Sequence, residues 1–387
     1  MSFKNPVIVI VGYNRPRSLK RLINSLEKAV YPTNDISLII SIDKSPDNAS
    51  VKQIADDFNW KFGVKKVVYQ KENLGLKKHI VQCMQYTFEY ENIILLEDDL
   101  FVAPDFYNYT VQALKFTAGN EKIGGISLYN HQFNVHKGVN FSPLEDGFDN
   151  WYFQFASSWG QAWSAQHITK FLEWFNNSPT LENNKELPKN VFNWSDKSWL
   201  KFYISYLIEK DRYFLYPKIS LSTNFSDPGT HIQNDNTTYQ VPLSLNRDKE
   251  YNFSTLNNSK SVYDAFYESQ TLFNLIGFEK NEVAIDLYGY KINFDKRYLL
   301  SSQILDYKVL KSFGKSLKPI DGNVVFEIEG NDIFLYDRNI EEQNTFNKNT
   351  YNEIIYQVKH LDHRSTAVLF YEATMKRIKH NLKKIIK

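Results

Sequence analysis

The sequence has a single cysteine, Cys83, among 387 residues. One cysteine cannot form an internal disulfide, and it cannot supply the several thiolates of a cysteine-rich zinc site. The chain also lacks a charge excess, because 46 Lys and Arg residues stand against 44 Asp and Glu residues. Proteins that bind nucleic acid usually carry a strong basic excess, so we expect no nucleic-acid partner.

Long apolar runs are absent as well. No stretch approaches the roughly 20 apolar residues that a membrane-spanning helix needs. The N-terminal run Val7–Val11 is too short for the apolar core of a secretory signal. We therefore expect a cytoplasmic protein.

Aromatic residues, in contrast, are abundant and make up 16% of the chain. Aromatic faces often line sugar-binding or partner-binding sites, although a biased genome composition explains a high content of Phe and Tyr equally well. The cluster at 151–163 is the part that we connect with ligand binding.

Strands alternate with helices in the first hundred residues. Continuous apolar, β-branched runs predict strands that are buried on both faces, and four such runs occur at 6–11, 36–42, 64–69 and 92–96. The segments between them have helical spacing. This alternation predicts an α/β fold with a mixed, mainly parallel sheet flanked by helices.

Polar residues follow three of these strands, namely Gly12–Arg15, Asp43 and Glu97–Asp99. The carboxyl ends of parallel strands meet at one edge of a sheet, which is where ligands bind in such folds. Three adjacent carboxylates repel one another, and Mg²⁺ or Mn²⁺ bridging to diphosphate oxygens would supply the missing positive charge. The alternative is a solvated turn at the end of a strand.

The stretch Ile94–Tyr109, with the sequence ILLEDDLFVAPDFYNY, resembles the acidic motif and following helix of GT-A glycosyltransferases. The resemblance is to the N-acetylglucosaminyltransferase I-like and family 2-like group, and it extends over about residues 5–235. It implies a GT-A, Rossmann-like fold and a nucleotide sugar, most readily a UDP-sugar, as donor. It also implies Mn²⁺ or Mg²⁺ as cofactor, with Asp99 as the direct metal ligand.

By the same resemblance, the loop residues after the first strands contact the nucleotide, and the two acids before Asp99 position it and hold the ribose. The nucleotide-binding residues implied in this way are Gly12, Asn14, Arg15, Asp43, His79, Glu97 and Asp98.

Two further segments resemble the acceptor side of these enzymes. Ser157–Trp163 is similar to the acceptor loop, which implies acceptor or diphosphate contacts for Trp159, Gly160 and Trp163. Thr230 and His231 would lie in the closing loop near the diphosphate. Core packing is an equal alternative for the tryptophans, and a turn-stabilising role is the simpler reading of His231.

The catalytic base is expected at Asp196. The segment Asn193–Trp199 resembles the family segment that carries the base, but its two tryptophans are five residues apart and enclose one acid instead of a pair. Asp196 or Ser195 could instead cap the following helix. Glu145 and Asp146 are rival candidates for the base.

The C-terminal tail has the pattern of a basic amphipathic helix. Residues 371–387 contain six Lys or Arg and one acid, and their apolar side chains recur at helical spacing. Such a helix can lie on an anionic membrane surface. The alternative is a helix packed on the body with a solvated basic face.

We divide the chain into four parts: 1–110, a nucleotide-sugar-binding half; 111–245, the acceptor-binding half of the same domain; 246–366, an accessory α+β region; and 367–387, the basic helix. Within the accessory region we expect a helix over 263–276 and hairpin strands over 283–294 and 324–336.

The function expected from these features is metal-dependent, inverting transfer of a sugar from a nucleotide donor to a glycan or lipid-linked glycan acceptor in surface polysaccharide synthesis. The chain would work in the cytoplasm or at the inner face of the plasma membrane. Two alternatives stay open, a sugar-nucleotide nucleotidyltransferase and a non-catalytic glycan-binding protein on the same scaffold.

Overall fold

The structure, a computed structural model, describes residues 3–177, 181, 186–225, 227, 238–291, 295–347, 350–358 and 362–385. In chain order the strands are β1 (Val7–Gly12), β2 (Leu38–Ile42), β3 (Lys65–Tyr69), β4 (Asn92–Glu97), β5 (Leu100–Val102), β6 (Ile123–Ser127), β7 (Phe133–Asn134), β8 (Val139–Asn140), β9 (Asn150–Phe153), β10 (Gln161–Ser164), β11 (Tyr213–Pro217), β12 (Ser222–Asn224), β13 (Val262–Tyr263), β14 (Val283–Asp286), β15 (Tyr298–Ser301), β16 (Tyr307–Phe313) and β17 (Ile333–Glu341).

The helices are α1 (Pro16–Lys28), α2 (Ala49–Asp57), α3 (Leu76–Met84), α4 (Thr87–Tyr90), α5 (Phe106–Phe116), α6 (Ala165–Asn177), α7 (Lys189–Phe192), α8 (Trp199–Glu209), α9 (Leu272–Leu275), α10 (Asp321–Val325), α11 (Thr350–Gln357) and α12 (His363–Ile385).

The main sheet has the strand order β13-β9-β11-β6-β10-β4-β1-β2-β3 within the described residues. Strands β4, β1, β2 and β3 are parallel neighbours, and β11 runs parallel to β6. Strand β10 is antiparallel to both β4 and β6. The expected α/β fold with a mixed, mainly parallel sheet is confirmed.

Both faces of the sheet are covered, and β1 shows why. All six of its residues are buried, and successive side chains point to opposite faces. Ile8 and Ile10 pack in the core beneath α1, α2 and α5, whereas Val7, Val9 and Val11 pack in the core beneath α3, α6 and α8. A strand between two cores must be apolar throughout, which is the pattern that the sequence shows.

Two expectations for the accessory region were wrong. Residues 263–276 do not form one helix, because β13 pairs with β9 in the main sheet and only α9 is helical. Of the two expected hairpin strands, only residues 283–286 and 333–336 are strand. They do not pair as a hairpin, because β15 lies between β14 and β17, and residues 321–325 form α10. The described part of this region is a four-stranded sheet of order β14-β15-β17-β16.

The C-terminal segment forms α12. Its described side chains at 363–374 and 376–378 are exposed, and they include Val368, Leu369, Phe370 and Tyr371 at 57% to 74% exposure. This part of the helix therefore does not pack on the body. A membrane-spanning helix, which needs both length and an apolar composition, is not found in the described ranges.

Candidate active site

The residues after β1, β2 and β4 lie side by side at one edge of the sheet. Gly12 is opposite Ile42, the last residue of β2, and Val11 is opposite Glu97, the last residue of β4. The expected convergence of these three loops follows directly from the parallel register.

Arg15 binds two carboxylates of the acidic triplet. Its Nη1 donates a hydrogen bond of 2.8 Å to Asp99 Oδ2, and its Nη2 forms an ion pair with Asp98 Oδ1. The backbone N–H of Tyr13 donates to Asp98 Oδ2 at 3.3 Å. The loop after β1 is thus tied to the loop after β4 through charge-assisted bonds.

One guanidinium does not neutralise three carboxylates. Burial, together with the neighbouring Asp99, raises the pKa of Glu97 to about 8, with Arg15 opposing the shift. Burial raises the pKa of Asp98 to about 6, again against Arg15. The site therefore carries an excess of negative charge that an additional cation would relieve.

Asp99 has the atom best suited to receive such a cation. Its Oδ1 is buried and has no hydrogen-bond partner among the described residues, whereas its Oδ2 is bound by Arg15. A bare carboxylate oxygen is the ligand type that Mg²⁺ and Mn²⁺ prefer. Across the described ranges no group of three or more His, Cys, Asp or Glu side chains is placed to hold a metal.

Asp43 fastens the loop after β2 to the start of α3. Its carboxylate accepts backbone hydrogen bonds from Leu74 at 2.8 Å, Gly75 at 2.9 Å and Lys44 at 2.9 Å. The side chain is buried, so its present partners are main-chain donors. Gly75 is needed there because its φ of +73° favours glycine.

His79 lies beneath this loop. Its Nε2 shares a hydrogen bond of 2.7 Å with Ser41 Oγ, and burial lowers the pKa of the ring. The imidazole is therefore held neutral inside the protein. Asn14, by contrast, is exposed at the tip of the first loop.

Trp159 and Gly160 lie at the same edge of the sheet, because β10 runs antiparallel to β4 and begins where β4 ends. Trp159 is partly exposed and packs against Tyr129 at 4.6 Å between ring centroids. Gly160 has a φ of +93°, and an added Cβ would lie 2.9 Å from Ser222 Oγ. Together they form the segment that leads into β10.

Trp163 is placed differently from the expected acceptor contact. Its side chain is fully buried and packs against Trp199, Tyr203 and Phe214. It is a core residue, which corresponds to the alternative that the sequence left open. Thr230 and His231 lie outside the described residues.

Asp196 is exposed and forms an ion pair with Lys201 at 2.8 Å. The Lys201 hydrogen bond and charge lower the pKa of Asp196, with a smaller contribution from Lys77 at the start of α3. The alternative role as helix cap was wrong, because Ser198 is the N-cap of α8 and accepts from the Lys201 backbone N–H.

The two rival candidates for the base are both bound by Lys218. Its Nζ lies 3.6 Å from Glu145 and 3.6 Å from Asp146. Asp146 also accepts from Ser259 Oγ at 2.9 Å and from the Lys260 backbone N–H at 3.0 Å. These contacts hold Asp146 in a structural role, whereas Glu145 stays exposed.

The sequence did not predict a second set of contacts beside the acidic triplet. We call it the clamp, because it joins Ser18 and Arg21 of α1 to Phe225 and Asp227. Arg21 forms an ion pair with Asp227, and Ser18 Oγ donates to the same carboxylate at 2.7 Å. The Arg21 guanidinium also lies 3.9 Å from the centre of the Phe225 ring, and the Phe225 backbone N–H donates to Asp99 O at 3.1 Å. More than 200 residues separate the partners, so no local pattern could have revealed the clamp.

A parallel half-sheet with a carboxylate triplet and an arginine at its carboxyl edge has the architecture of a GT-A glycosyltransferase. The sequence model described as Glycosyl transferase family 2 matches residues 7–131, which span β1 to β6 and contain the triplet. This region is similar to that family, and the expected likeness to a GT-A glycosyltransferase of the family 2-like group is confirmed over these residues.

Solved structures with a similar fold include S. aureus TarS 1–349, at 16% identity and a TM-score of 0.38 over 56% of this chain and 59% of that one. The same TarS fragment in complex with UDP-GlcNAc has 16% identity and a TM-score of 0.40 over 58% and 60%.

A mannosyltransferase from Pyrobaculum calidifontis in complex with GDP-Man and Mn²⁺ has 16% identity and a TM-score of 0.32 over 46% of this chain and 48% of that one. These TM-scores lie below 0.5, so the likeness to the family rests on the match over residues 7–131. The chain covers 59% of the first TarS structure, which is less than two thirds of its length. A comparison with curated proteins gives no match.

Proposed function

We propose that the protein is a metal-dependent, inverting glycosyltransferase that moves a sugar from a UDP-sugar to a glycan acceptor in surface polysaccharide synthesis. The observation that carries this proposal is the unpartnered, buried Oδ1 of Asp99 beside Arg15 at the carboxyl edge of the parallel strands. The choice of UDP and of the biosynthetic context rests on the family resemblance.

Asp99 would hold Mn²⁺ or Mg²⁺, which, when bound, neutralises the charge of a departing diphosphate. Arg15 has the task of keeping Asp98 and Asp99 in place, because its two terminal nitrogens each bind one of them. Asp43 fixes the start of α3 against the same edge. The nucleotide would therefore bind against a surface that both side-chain and main-chain groups form.

Asp196 is the proposed general base. An exposed carboxylate that Lys201 keeps ionised can take the proton of an acceptor hydroxyl. Attack by that hydroxyl from the face opposite the leaving group inverts the configuration at the anomeric carbon, as in the single displacement of inverting glycosidases.

We further propose that α12 places the enzyme at the inner face of the plasma membrane, where a lipid-linked glycan acceptor would be available. Exposed apolar residues at 368–371 and the basic residues of 371–387 are the combination that binds anionic lipid surfaces.

A screen of sugar nucleotides with and without Mn²⁺ tests the proposed function. Thermal stabilisation by UDP that requires Mn²⁺, followed by metal-dependent release of UDP from one sugar nucleotide, is the expected result. A nucleotidyltransferase would instead release pyrophosphate from a nucleoside triphosphate and a sugar phosphate. A non-catalytic glycan-binding protein would show neither nucleotide binding nor turnover.

A further inference from the structure

A partly enclosed cavity of about 500 Å³ lies between residues 137–142 and the C-terminal accessory region, and none of its lining residues belongs to the acidic triplet. Five segments surround it: residues 137–142 around β8, the turn 287–289 after β14, residues 302–303 after β15, residues 315–320, and α11 with Val358. We call it the C-terminal cavity. Its volume falls within the range of small-molecule sites.

The lining of the C-terminal cavity carries an excess of positive charge. Lys137, Lys315 and Lys318 line it together with a single acid, Glu353. Lys315 lies 3.9 Å from Glu353, so the lining carries two positive charges in excess. The Nζ atoms of Lys315 and Lys318 lie 5.1 Å and 5.4 Å from the centre of the Tyr356 ring, which orders them on this side of α11.

The rest of the lining is a mixture of amides, hydroxyls and buried rings. Asn140, Gln303 and Gln357 contribute amide groups, and Phe141 and Tyr288 form part of an apolar floor. Sugar rings present hydroxyls at their edges and C–H groups on their faces, so they can use both kinds of surface. Because the lining also contains the three lysines, it is complementary to a sugar chain that carries negative charge.

One continuous segment connects the C-terminal cavity with the candidate acceptor loop. Tyr129 packs on Trp159, and the chain then runs through β7 and β8 to the cavity wall. His136 anchors this segment to the accessory region, because its Nε2 bonds Ala265 O at 2.7 Å and its ring stacks on Tyr290. The cavity wall and the candidate acceptor loop are therefore joined by one anchored segment of the chain.

We propose that the C-terminal cavity binds an anionic glycan, the part of the acceptor that lies far from the reacting hydroxyl. The identification of this glycan as part of the acceptor rests on the proposed function. The binding of an acidic glycan to the cavity does not depend on that function. The negative group is a carboxylate or a phosphate, and both would pair with Lys137 and Lys318.

The test measures binding by calorimetry to the full chain without nucleotide or metal. The probes are a hyaluronan tetrasaccharide, which carries carboxylates, pentamannosyl 6-phosphate, which carries a phosphate, and neutral chitotetraose. We expect one or both acidic probes to bind at least about tenfold more tightly than chitotetraose, a preference of ~1.4 kcal/mol. Whichever acid binds identifies the source of the charge.

The double variant Lys137→Gln/Lys318→Gln should lose this preference. The matched control is Lys61→Gln/Lys66→Gln, which removes two exposed lysines beside β3 and should bind like the original chain. A second variant, Ser142→Trp, fills the cavity without changing its charge and should weaken binding of the acidic probe. Thermal melting confirms that each variant is folded.

Failure of both acidic probes to bind, or binding that the cavity variants leave unchanged, would overturn the proposal. Stabilisation by UDP and Mn²⁺ is measured on the same samples and reports on the proposed function alone. Glycan binding without nucleotide binding would therefore contradict the transferase function and support the cavity assignment. Nucleotide binding without glycan binding would support the transferase function and contradict the cavity assignment.

Discussion

At the scale of single residues, the site is a balance between three carboxylates and one guanidinium. Arg15 satisfies an oxygen of Asp98 and one of Asp99, and the second oxygen of Asp99 stays without a partner in the described structure. A buried, unpaired carboxylate oxygen is costly, and such an atom is maintained where a ligand completes it.

Asp99→Asn should abolish the stabilisation of the protein by UDP plus Mn²⁺, because the substitution removes the anionic oxygen that would bind the ion while leaving the side-chain shape intact. The measurement is a thermal shift with UDP, with Mn²⁺ and with both. Asp57→Asn, at the exposed end of α2, is the control and should respond as the original chain does. A full response in Asp99→Asn would remove this residue from the metal site.

Asp196→Asn should leave binding of UDP and Mn²⁺ intact and reduce transfer by about 10² to 10⁴, the range for loss of a general base. Because Lys201 lowers the pKa of Asp196, the carboxylate stays ionised below the usual range of an aspartic acid. The measurement is the rate of sugar transfer by each variant at saturating donor and Mn²⁺. Retained turnover in Asp196→Asn would move the base elsewhere, with Glu145→Gln as the next variant.

At the scale of elements, the loop into β10 depends on backbone conformation. Gly160→Ala should destabilise the protein by about 1–3 kcal/mol, because the residue has a positive φ and its Cβ would approach Ser222 Oγ. Gly147→Ala is the matched control, since Gly147 has a φ of +82° but no atom within 4 Å of its Cβ position. Urea denaturation should show a smaller loss for Gly147→Ala, and equal losses would mean that the contact contributes nothing.

The elements that could be predicted from the sequence are those with a local signal. β1, β2 and β4 are continuous apolar runs, and their parallel order follows from the helices between them, so the convergence of Arg15 and the acidic triplet was predictable. The helix expected over 263–276 fails because Val262 and Tyr263 pair with β9, more than 100 residues away. Long-range pairing of so short a strand leaves no periodicity to detect.

The same limit applies to the tryptophans. Trp159 and Trp163 are four residues apart in one motif, yet one is partly exposed and the other is fully buried against α8. The environment of each tryptophan can be predicted only when the start of β10 is known, because Trp159 precedes the strand and Trp163 lies within it. Part of the aromatic content is explained in this way, because Trp151, Trp163, Trp199 and several tyrosines are core side chains.

At the scale of the whole molecule, Asp321 makes stability depend on pH. Burial raises the pKa of Asp321 to about 7, so the folded state keeps the proton that the unfolded chain releases near pH 4. The stabilisation is complete below about pH 4 and is lost as the pH rises to 7, at on the order of 1 kcal/mol per pH unit. Asp321→Asn should reduce this slope in urea denaturation at pH 4.5, 6 and 7.5, by the contribution of one carboxyl group. Exposed Asp332→Asn should keep it, and a slope equal in both variants would contradict the assignment.

Removal of residues 363–387 should eliminate binding to anionic vesicles without lowering the thermal stability of the body. The described side chains of α12 are exposed over 363–374, so their loss uncovers little apolar surface. Sedimentation with vesicles of phosphatidylglycerol and phosphatidylcholine measures the effect, and vesicles of phosphatidylcholine alone are the control. Unchanged binding of the shortened chain would exclude α12 as the membrane contact.

Strand β13 joins the outer side of β9, so residues far along the chain finish a sheet that begins at residue 7. A fragment that stops before residue 262 leaves β9 without a neighbour along Tyr152 and Phe153, the two residues that β13 pairs with. Unpaired edges of this kind attach to other chains and promote aggregation. On the ribosome, the sheet is likewise complete only after Tyr263 has been synthesised, and an expression fragment has to extend beyond that residue.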